Sequence, residues 1–200
     1  MARLPEWSII RPAGQAPFRR SRLSSNVRLH LQLTALAWSF TAAVLVHNAE
    51  EAAFLPRWSR SAARWYRPVS DSEFRFAVGV LSAFFLALTF AATLAVAPCW
   101  LVKHLFAGYV VAMLANALVP HLAATVALRR YMPGTATAWL LVVPLGAVFL
   151  HSAVQQGQVE LHVLAWVAPT VALVLLAAIP LLLLAGRRLW PSSRRANSAA

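Results

Sequence analysis

Residues 161–185, LHVLAWVAPTVALVLLAAIPLLLLA, decide the fold class, because this stretch contains no aspartate, glutamate, lysine or arginine. An uncharged apolar stretch of about eighteen residues or more is typical of a membrane-spanning helix. Predominantly apolar stretches also occur at residues 29–55, 76–97, 105–128 and 135–154. The sequence therefore predicts an all-α fold, a polytopic transmembrane helical bundle with about five spans.

The composition excludes an ordinary soluble domain. Hydrophobic residues make up 60% of the 200 residues and charged residues only 12%, against about 25% charged residues in a typical soluble domain. The net charge of +12 comes from basic residues outside or at the edges of the apolar stretches, where they hold loops at a membrane surface. Nucleic-acid-binding domains are also strongly basic, but the sequence contains none of their motifs. The expected partner is therefore the lipid bilayer, and no nucleic acid.

Charge and composition divide the chain into three parts. Residues 1–28 are rich in arginine, proline and serine, and we predict that they form a disordered basic tail. Residues 29–186 form the predicted transmembrane domain, and residues 187–200 form a second basic tail. A single cysteine, Cys99, excludes an internal disulfide. The chain is therefore expected to be a multi-pass membrane protein.

The first apolar stretch leaves the topology open. The basic residues divide between the two sides of a five-span bundle without a clear excess on either, so they do not set its orientation. If the first stretch instead entered the membrane and returned, or lay at the membrane interface, nearly all basic residues would lie on one side. We favour five spans, because residues 33–46 are continuously apolar apart from hydroxyl side chains. Phe54-Leu55-Pro56-Arg57-Trp58 is expected to end this first helix at the headgroup level.

The end of the first stretch carries the most unusual ionisable side chains, in His47-Asn48-Ala49-Glu50-Glu51. The chain has only six acidic residues, and two of them are adjacent here. On a helix, positions i, i+3 and i+4 share a face, which directs His47, Glu50 and Glu51 to the same side. Because ionisable groups are costly at membrane depth, they usually face the interior of a bundle and mark a functional site.

A second group of polar residues lies in the third apolar stretch, around His121. Counted back from the basic residues that end their stretches, His47 and His121 both lie about 12–15 Å inside the membrane boundary. Both boundaries fall on the same membrane face with either topology, so the two histidines are expected to meet. The other histidines fall near the opposite face and receive no role. They are His30, His104, His151 and His162.

This arrangement predicts a metal or acid–base site. The candidate metal ligands, which are also the candidate catalytic residues, are His47, Glu50, Glu51 and His121. Mixed imidazole and carboxylate ligands suit zinc, manganese or non-haem iron. Two histidines and one glutamate would leave one coordination position of the metal open for water. The second glutamate could then act as a general base or hydrogen-bond to one of the metal ligands. The polar residues expected to support the ligands are Asn116, Thr125 and Thr137.

Two interpretations without a metal stay open. A histidine–glutamate pair could transfer protons, for example to isomerise a double bond in a lipid. The same side chains could instead form a structural polar network that holds the first and third helices together.

The motif and its surroundings resemble those of the bacterial HXXEE-motif membrane proteins, over residues 30–150. The first shared segment is His47-Asn48-Ala49-Glu50-Glu51 with Phe54-Leu55-Pro56-Arg57-Trp58. The second is Asn116-Ala117-Leu118 with His121, followed by Arg130-Tyr131-Met132-Pro133-Gly134-Thr135-Ala136-Thr137-Ala138. The resemblance implies four core spans with the fifth as a C-terminal addition, a location in the bacterial plasma membrane, and the same histidines and glutamates as the site. It implies no activity, because the function of the family is unknown.

We expect a small membrane enzyme that acts on a lipid or isoprenoid-like substrate, using metal-bound water or histidine–glutamate acid–base chemistry. An ion- or proton-coupled transporter is the first alternative, with Glu50 and Glu51 binding protons or cations. The sequence contains no inverted repeat, which disfavours this alternative. A non-catalytic membrane scaffold with a structural polar network is the second. The sequence specifies neither the substrate nor the oligomeric state.

Overall fold

The structure, a computed structural model, describes residues 16–94 and 99–189, with side chains from Val27 onwards. All regular elements within these ranges are helical. Five helices are long and apolar enough to cross a membrane, so the predicted all-α bundle with five spans is confirmed. The helices are α1 (Ala16–Ser61), α2 (Asp71–Thr93), α3 (Trp100–Ala127), α4 (Thr135–Gln155) and α5 (Leu161–Leu189).

Helix α1 is continuous from Ala16 to Ser61, so the alternative of a re-entrant first stretch is wrong. It begins inside residues 1–28, for which the sequence predicts a disordered tail. Residues 1–15 and 190–200 lie outside the described residues, and the tails predicted there stay predictions.

Pro56 lies within α1 and does not end it, contrary to the expectation from the sequence. A proline has no N–H, so the carbonyl four residues earlier, that of Ala52, loses its helical partner. Arg75 on α2 donates from Nε to this carbonyl at 3.4 Å. The helix therefore continues to Ser61, because a neighbouring helix satisfies the freed oxygen.

Glu73 takes part in the N-terminal cap of α2 and also joins α2 to α5. The Ser70 hydroxyl accepts from the N–H of Glu73 at 3.3 Å, and the Glu73 carboxylate accepts from the N–H of Ser70 at 3.5 Å, which forms a capping box. The same carboxylate accepts two hydrogen bonds from Arg187, at 2.8 and 3.4 Å. A Cβ at Gly186 would lie 3.0 Å from the Cα of Glu73. The end of α5 is therefore held directly against the start of α2.

Helix α5 packs on α3 as well as on α2. A Cβ at Gly108 of α3 would lie 3.0 Å from Val167 and 3.2 Å from Val171, so the glycine allows the two helices to approach closely. The other face of α5 exposes large apolar side chains such as Trp166 and Leu173. That face has the character of a lipid-contacting surface.

Four aromatic side chains fill the centre of the bundle, and we call them the aromatic layer. They are Phe40 of α1, Phe85 of α2, and Phe106 and Tyr109 of α3. The ring centroids of Phe85 and Tyr109 are 3.9 Å apart, and those of Phe85 and Phe106 are 5.6 Å apart. Beside the layer, the hydroxyl groups of Thr41 and Thr89 join α1 and α2 by a hydrogen bond of 2.9 Å. The layer separates two cavities, one lined in part by Phe106 and the other in part by Tyr109.

Helices α3 and α4 depart from regular geometry close to one another. In α3 the backbone of Val119 is extended (φ −132°, ψ 115°), and the fully buried His121 follows this break. In α4 a wider, π-helical turn covers Ala138–Val142. Irregular helical turns of this kind are frequent at functional sites.

Candidate metal centre

Three ionisable side chains meet between α1 and α3. His47 and Glu51 come from successive turns of α1, and His121 comes from α3 after the break at Val119. The nitrogen and oxygen atoms that they offer lie within 4.8 Å of one another. Oε1 of Glu51 is 3.1 Å from Nε2 of His121 and 3.8 Å from Nε2 of His47. The centroids of the two imidazole rings are 4.9 Å apart in an edge-to-face arrangement, with 81° between the ring planes, so the expected meeting of the histidines is observed.

The two imidazoles are fully buried, and several of their nitrogens lack hydrogen bonds. Within the described part of the chain, Nε2 of His47 and both ring nitrogens of His121 have no hydrogen-bond partner. The 3.1 Å contact between His121 and Glu51 is close enough for a hydrogen bond, but it does not have the direction of one. Buried polar atoms without a partner are rare in proteins. Two imidazoles and a carboxylate are ligands of zinc and of non-haem iron, so these residues fit a divalent metal.

The surroundings of His47 fix which of its nitrogens carries the proton. Nδ1 lies 3.1 Å from the carbonyl oxygen of Gly134 and 3.1 Å from the hydroxyl of Thr137. A carbonyl oxygen can only accept, so Nδ1 is the donor and carries the hydrogen. In the neutral ring, the lone pair of Nε2 is then directed towards Glu51 and His121. Histidine ligands of metals are usually held in this way by an outer partner.

Glu50 lies outside this group of three, although its place in the motif predicts it as a ligand. Its Oε2 accepts a hydrogen bond of 2.7 Å from Thr137, and its Oε1 accepts one from the hydroxyl of Tyr131. Burial, and then the hydrogen bond to Glu50, raise the pKa of Tyr131 above its ordinary value. Thr137 contacts both Glu50 and His47, so Glu50 is linked to the site through this hydroxyl. The oxygens of Glu50 therefore do not belong to the group formed by His47, Glu51 and His121.

The turn between α3 and α4 closes one side of the site at Gly134. Its backbone is left-handed (φ 93°, ψ −20°), and the N–H of Thr135 donates to the carbonyl of Met132 at 3.1 Å, which is the pattern of a type II turn. A Cβ at Gly134 would lie 2.6 Å from Cε1 of His121 and 2.9 Å from Cε1 of His47. Only glycine allows the backbone to adopt this conformation and to approach the imidazoles this closely.

The remaining predicted supporting residues have different positions. The hydroxyl of Thr125 accepts from the N–H of Met132 at 3.1 Å and bonds the hydroxyl of Thr135 at 3.0 Å, so it fixes the turn rather than a ligand. Asn116 lies on the wall of the adjoining cavity. Of the three supporting residues predicted from the sequence, Thr137 is the one for which the structure shows a hydrogen bond to His47.

The site opens onto an apolar cavity of about 400 Å³ among α1, α2, α3 and α5. His47 and Glu51 lie on its wall with Tyr109, and aliphatic side chains of α5, including Leu176 and Ile179, lie on it too. Tyr66 also lines the cavity, and burial, followed by the negative charge of Glu51, raises its pKa. A cavity of this size and character suits an apolar chain with a polar group at one end.

Two residues with a direct structural part in the site were not among the candidates from the sequence. They are Gly134 and Tyr131, and neither has an ionisable group within an apolar stretch. A signal for both was present in the segment Arg130–Ala138, where Pro133-Gly134 predicts a turn on the membrane face nearest His121.

Comparisons with known proteins agree with the resemblance seen in the sequence. A family described as "Protein of unknown function with HXXEE motif" matches residues 38–149, a range that includes the whole site and excludes α5. The uncharacterized protein YrkK of Bacillus subtilis (strain 168) is 34% identical over 154 residues, which cover 76% of this chain and 96% of YrkK. No solved structure matches the chain.

Proposed function

The chain belongs to the family of proteins of unknown function with the HXXEE motif, and we propose that it is a membrane enzyme that holds a divalent metal at His47, Glu51 and His121. The proposed substrate is a lipid or an isoprenoid-like molecule. The proposed location is the bacterial plasma membrane. The observation that carries the proposal is the grouping of these three side chains beside an apolar cavity inside a membrane bundle, with His47 and Glu51 on the cavity wall.

The ligand set leaves zinc, iron and manganese open. Two histidines and one glutamate occur in catalytic zinc sites, and two histidines with one carboxylate also hold non-haem iron. In either case a metal held there would supply Lewis-acid activation of a substrate oxygen or of water.

The chain itself would orient the site and exclude water. The carbonyl of Gly134 and the hydroxyl of Thr137 hold the proton of His47 on Nδ1, which keeps Nε2 free to bind. The apolar walls contributed by α2, α3 and α5 would bind the hydrocarbon part of a substrate, with its polar group beside Glu51.

The aromatic layer favours an enzyme over a carrier. A transported ion would have to pass from the cavity at the site to the cavity at the other end of the bundle. Phe40 and Phe85 are fully buried between them, and Tyr109 stacks on Phe85. The phenyl rings of Phe40 and Phe85 offer no ligands to an ion, so the cavity at the site supports an enzyme better than a carrier.

Metal content is the decisive first measurement. Wild type, His47→Ala and His151→Ala would be purified in detergent without chelators and analysed by elemental mass spectrometry. His151 is exposed on α4, away from the site, so it serves as the matched control. We expect about one equivalent of zinc, iron or manganese in wild type and in His151→Ala, and loss from a folded His47→Ala variant.

Other outcomes would favour the alternatives. If wild type contained no metal, the proposed metal would be rejected. The remaining hypotheses would be proton-transfer chemistry, transport and a structural polar network. If His47→Ala and Glu51→Ala variants, at equal protein levels, left the cellular lipid composition unchanged, the enzyme proposal would be rejected. Proteoliposome flux that is lost in Glu50→Gln would support an ion-coupled transporter. Variants that fail to fold would support a scaffold.

A further inference from the structure

A second cavity lies at the other end of the bundle, beyond the aromatic layer. Its volume is about 410 Å³, and it lies among α1, α2, α3, α4 and the turn that follows α4. Proteins use cavities of about 300–1,000 Å³ to bind small molecules. Neither the family nor the proposed reaction assigns this cavity a role.

The polar side chains of this cavity are basic or neutral. Lys103 and His30 line it, together with Thr34 and the amides of Gln156 and Gln158, and among the residues that the structure describes no aspartate or glutamate does. The ammonium group of Lys103 donates to Oε1 of Gln158 at 2.7 Å. An ammonium has three N–H donors, so two remain for a ligand, since Gln158 is its one partner among the described residues. The cavity therefore favours an anion.

The nearest acidic side chain along the chain is directed elsewhere. Oε1 of Glu160 accepts a hydrogen bond of 3.2 Å from Trp100, and its Oε2 lies 3.4 Å from His162. The buried His104 is also fully used, since Nδ1 donates to the carbonyl of Trp100 at 2.8 Å and Nε2 accepts from the N–H of Glu160 at 3.1 Å. Neither group neutralises the positive charge of Lys103.

The deeper wall of the cavity is apolar. Ala37, Phe106, Phe149 and Ala153 line it and are themselves buried. A free inorganic anion would use only the polar rim, whereas an amphiphile with an anionic head would also cover these side chains. Basic pockets between transmembrane helices bind anionic lipid headgroups.

We propose that this cavity binds an anionic membrane lipid whose headgroup is a phosphate without a compensating positive charge, with the phosphate at Lys103 and His30 and the upper part of an acyl chain against Phe106 and Phe149. The lipid is a bound partner of the bundle and not the substrate of the site at His47. The test of this proposal is therefore independent of the test of the metal centre.

Native mass spectrometry of the full-length protein in a nonionic detergent tests this proposal. Phosphatidic acid and phosphatidylcholine with the same acyl chains would be added in turn, and the fraction of protein carrying each lipid would be measured. Three variants would be compared with wild type. Lys103→Gln removes the positive charge, Lys103→Arg keeps it, and Thr34→Phe places a ring at the wall of the cavity. Arg28→Gln is the matched control, because Arg28 is basic and exposed near His30 but does not line the cavity.

Wild type is expected to prefer phosphatidic acid. Loss of one cationic side chain near a headgroup costs about 1 kcal/mol, so Lys103→Gln should bind it about fivefold more weakly. Lys103→Arg and Arg28→Gln should retain the preference, and Thr34→Phe should weaken the binding of phosphatidic acid.

Three results would overturn the proposal. The first is equal binding of both lipids by wild type, and the second is an equal loss in Lys103→Gln and Arg28→Gln. The third is displacement of phosphatidic acid by inorganic phosphate together with unchanged binding in Thr34→Phe, which would assign the site to a free anion.

Discussion

The carboxylates of Glu50 and Glu51, adjacent in the chain, have separate sets of partners. Glu51 lies beside the imidazoles of His47 and His121. Glu50 accepts hydrogen bonds from Tyr131 and Thr137. The pair therefore provides one candidate ligand and one residue that acts on the site through a hydroxyl group.

Glu51→Gln and Glu50→Gln should have different effects on metal content. We expect Glu51→Gln to lose the metal, because it removes the one carboxylate that faces both histidines. Glu50→Gln should retain the metal when it is supplied in excess, with an affinity lowered about tenfold, as for a partner of a ligand. Elemental analysis and metal titration of the two purified variants would measure this difference. Equal loss from both variants would mean that Glu50 is a ligand.

Gly134→Ala should disrupt the site. The substitution places a Cβ 2.6 Å from His121 and 2.9 Å from His47, in a backbone conformation that costs a non-glycine residue about 1–2 kcal/mol. Gly157→Ala is the matched control, because Gly157 also has a positive φ (64°) but its Cβ would meet nothing within 4 Å. Overpacking should make Gly134→Ala less stable than Gly157→Ala by about a further 1–3 kcal/mol. Equal melting temperatures for the two variants would contradict the close approach.

Thr137→Val should weaken metal binding while the bundle stays folded. The variant removes the hydroxyl that joins Nδ1 of His47 to the Glu50 carboxylate. Loss of such a partner typically lowers metal affinity about 10–100-fold. Thr137→Ser should retain the affinity. Thr170→Val is a control for the loss of a hydroxyl, because Thr170 bonds only the carbonyl of Trp166 in its own helix. An unchanged affinity in Thr137→Val would mean that the carbonyl of Gly134 alone orients His47.

Tyr131 should contribute less to stability at high pH. Burial and the hydrogen bond to Glu50 raise its pKa above the ordinary value of about 10. A group whose pKa is raised on folding stabilises the protein fully below the unfolded-state pKa and loses this effect as the pH rises through the folded-state pKa. The difference in Tm between wild type and Tyr131→Phe should therefore be constant from neutral pH to about pH 9 and shrink above about pH 10. A difference that does not change with pH would show that the phenolic proton does not stabilise the fold.

The spans were predictable because apolar stretches of membrane length are a local property of the sequence. The end of α1 was not, because it depends on a tertiary contact. Pro56 is accommodated by Arg75, which lies on another helix and donates to the carbonyl of Ala52. Nothing in the local sequence around Pro56 indicates that contact.

The candidate site was predictable in part. The spacing correctly put His47 and Glu51 on one face of α1, where the structure brings them to His121. The same spacing rule also placed Glu50 on this face. Successive residues of a helix point about 100° apart, so Glu50 and Glu51 point in different directions. The backbone break at Val119 sets the direction in which the side chain of His121 points. The role of Gly134 depends on how its turn packs against His47 and His121, which lie on two helices. Both are tertiary properties, and residue types alone do not specify them.

The closing turn at Gly134 also sets the order in which the site can be completed. Chains are synthesised from the N-terminus, so His47 and Glu51 enter the membrane first and His121 follows with the third helix. The carbonyl of Gly134 and the hydroxyl of Thr137, which orient His47, come only with the start of the fourth. The complete site therefore cannot exist on a nascent chain that ends before the fourth helix, and full affinity for an ion would be reached only late in biogenesis.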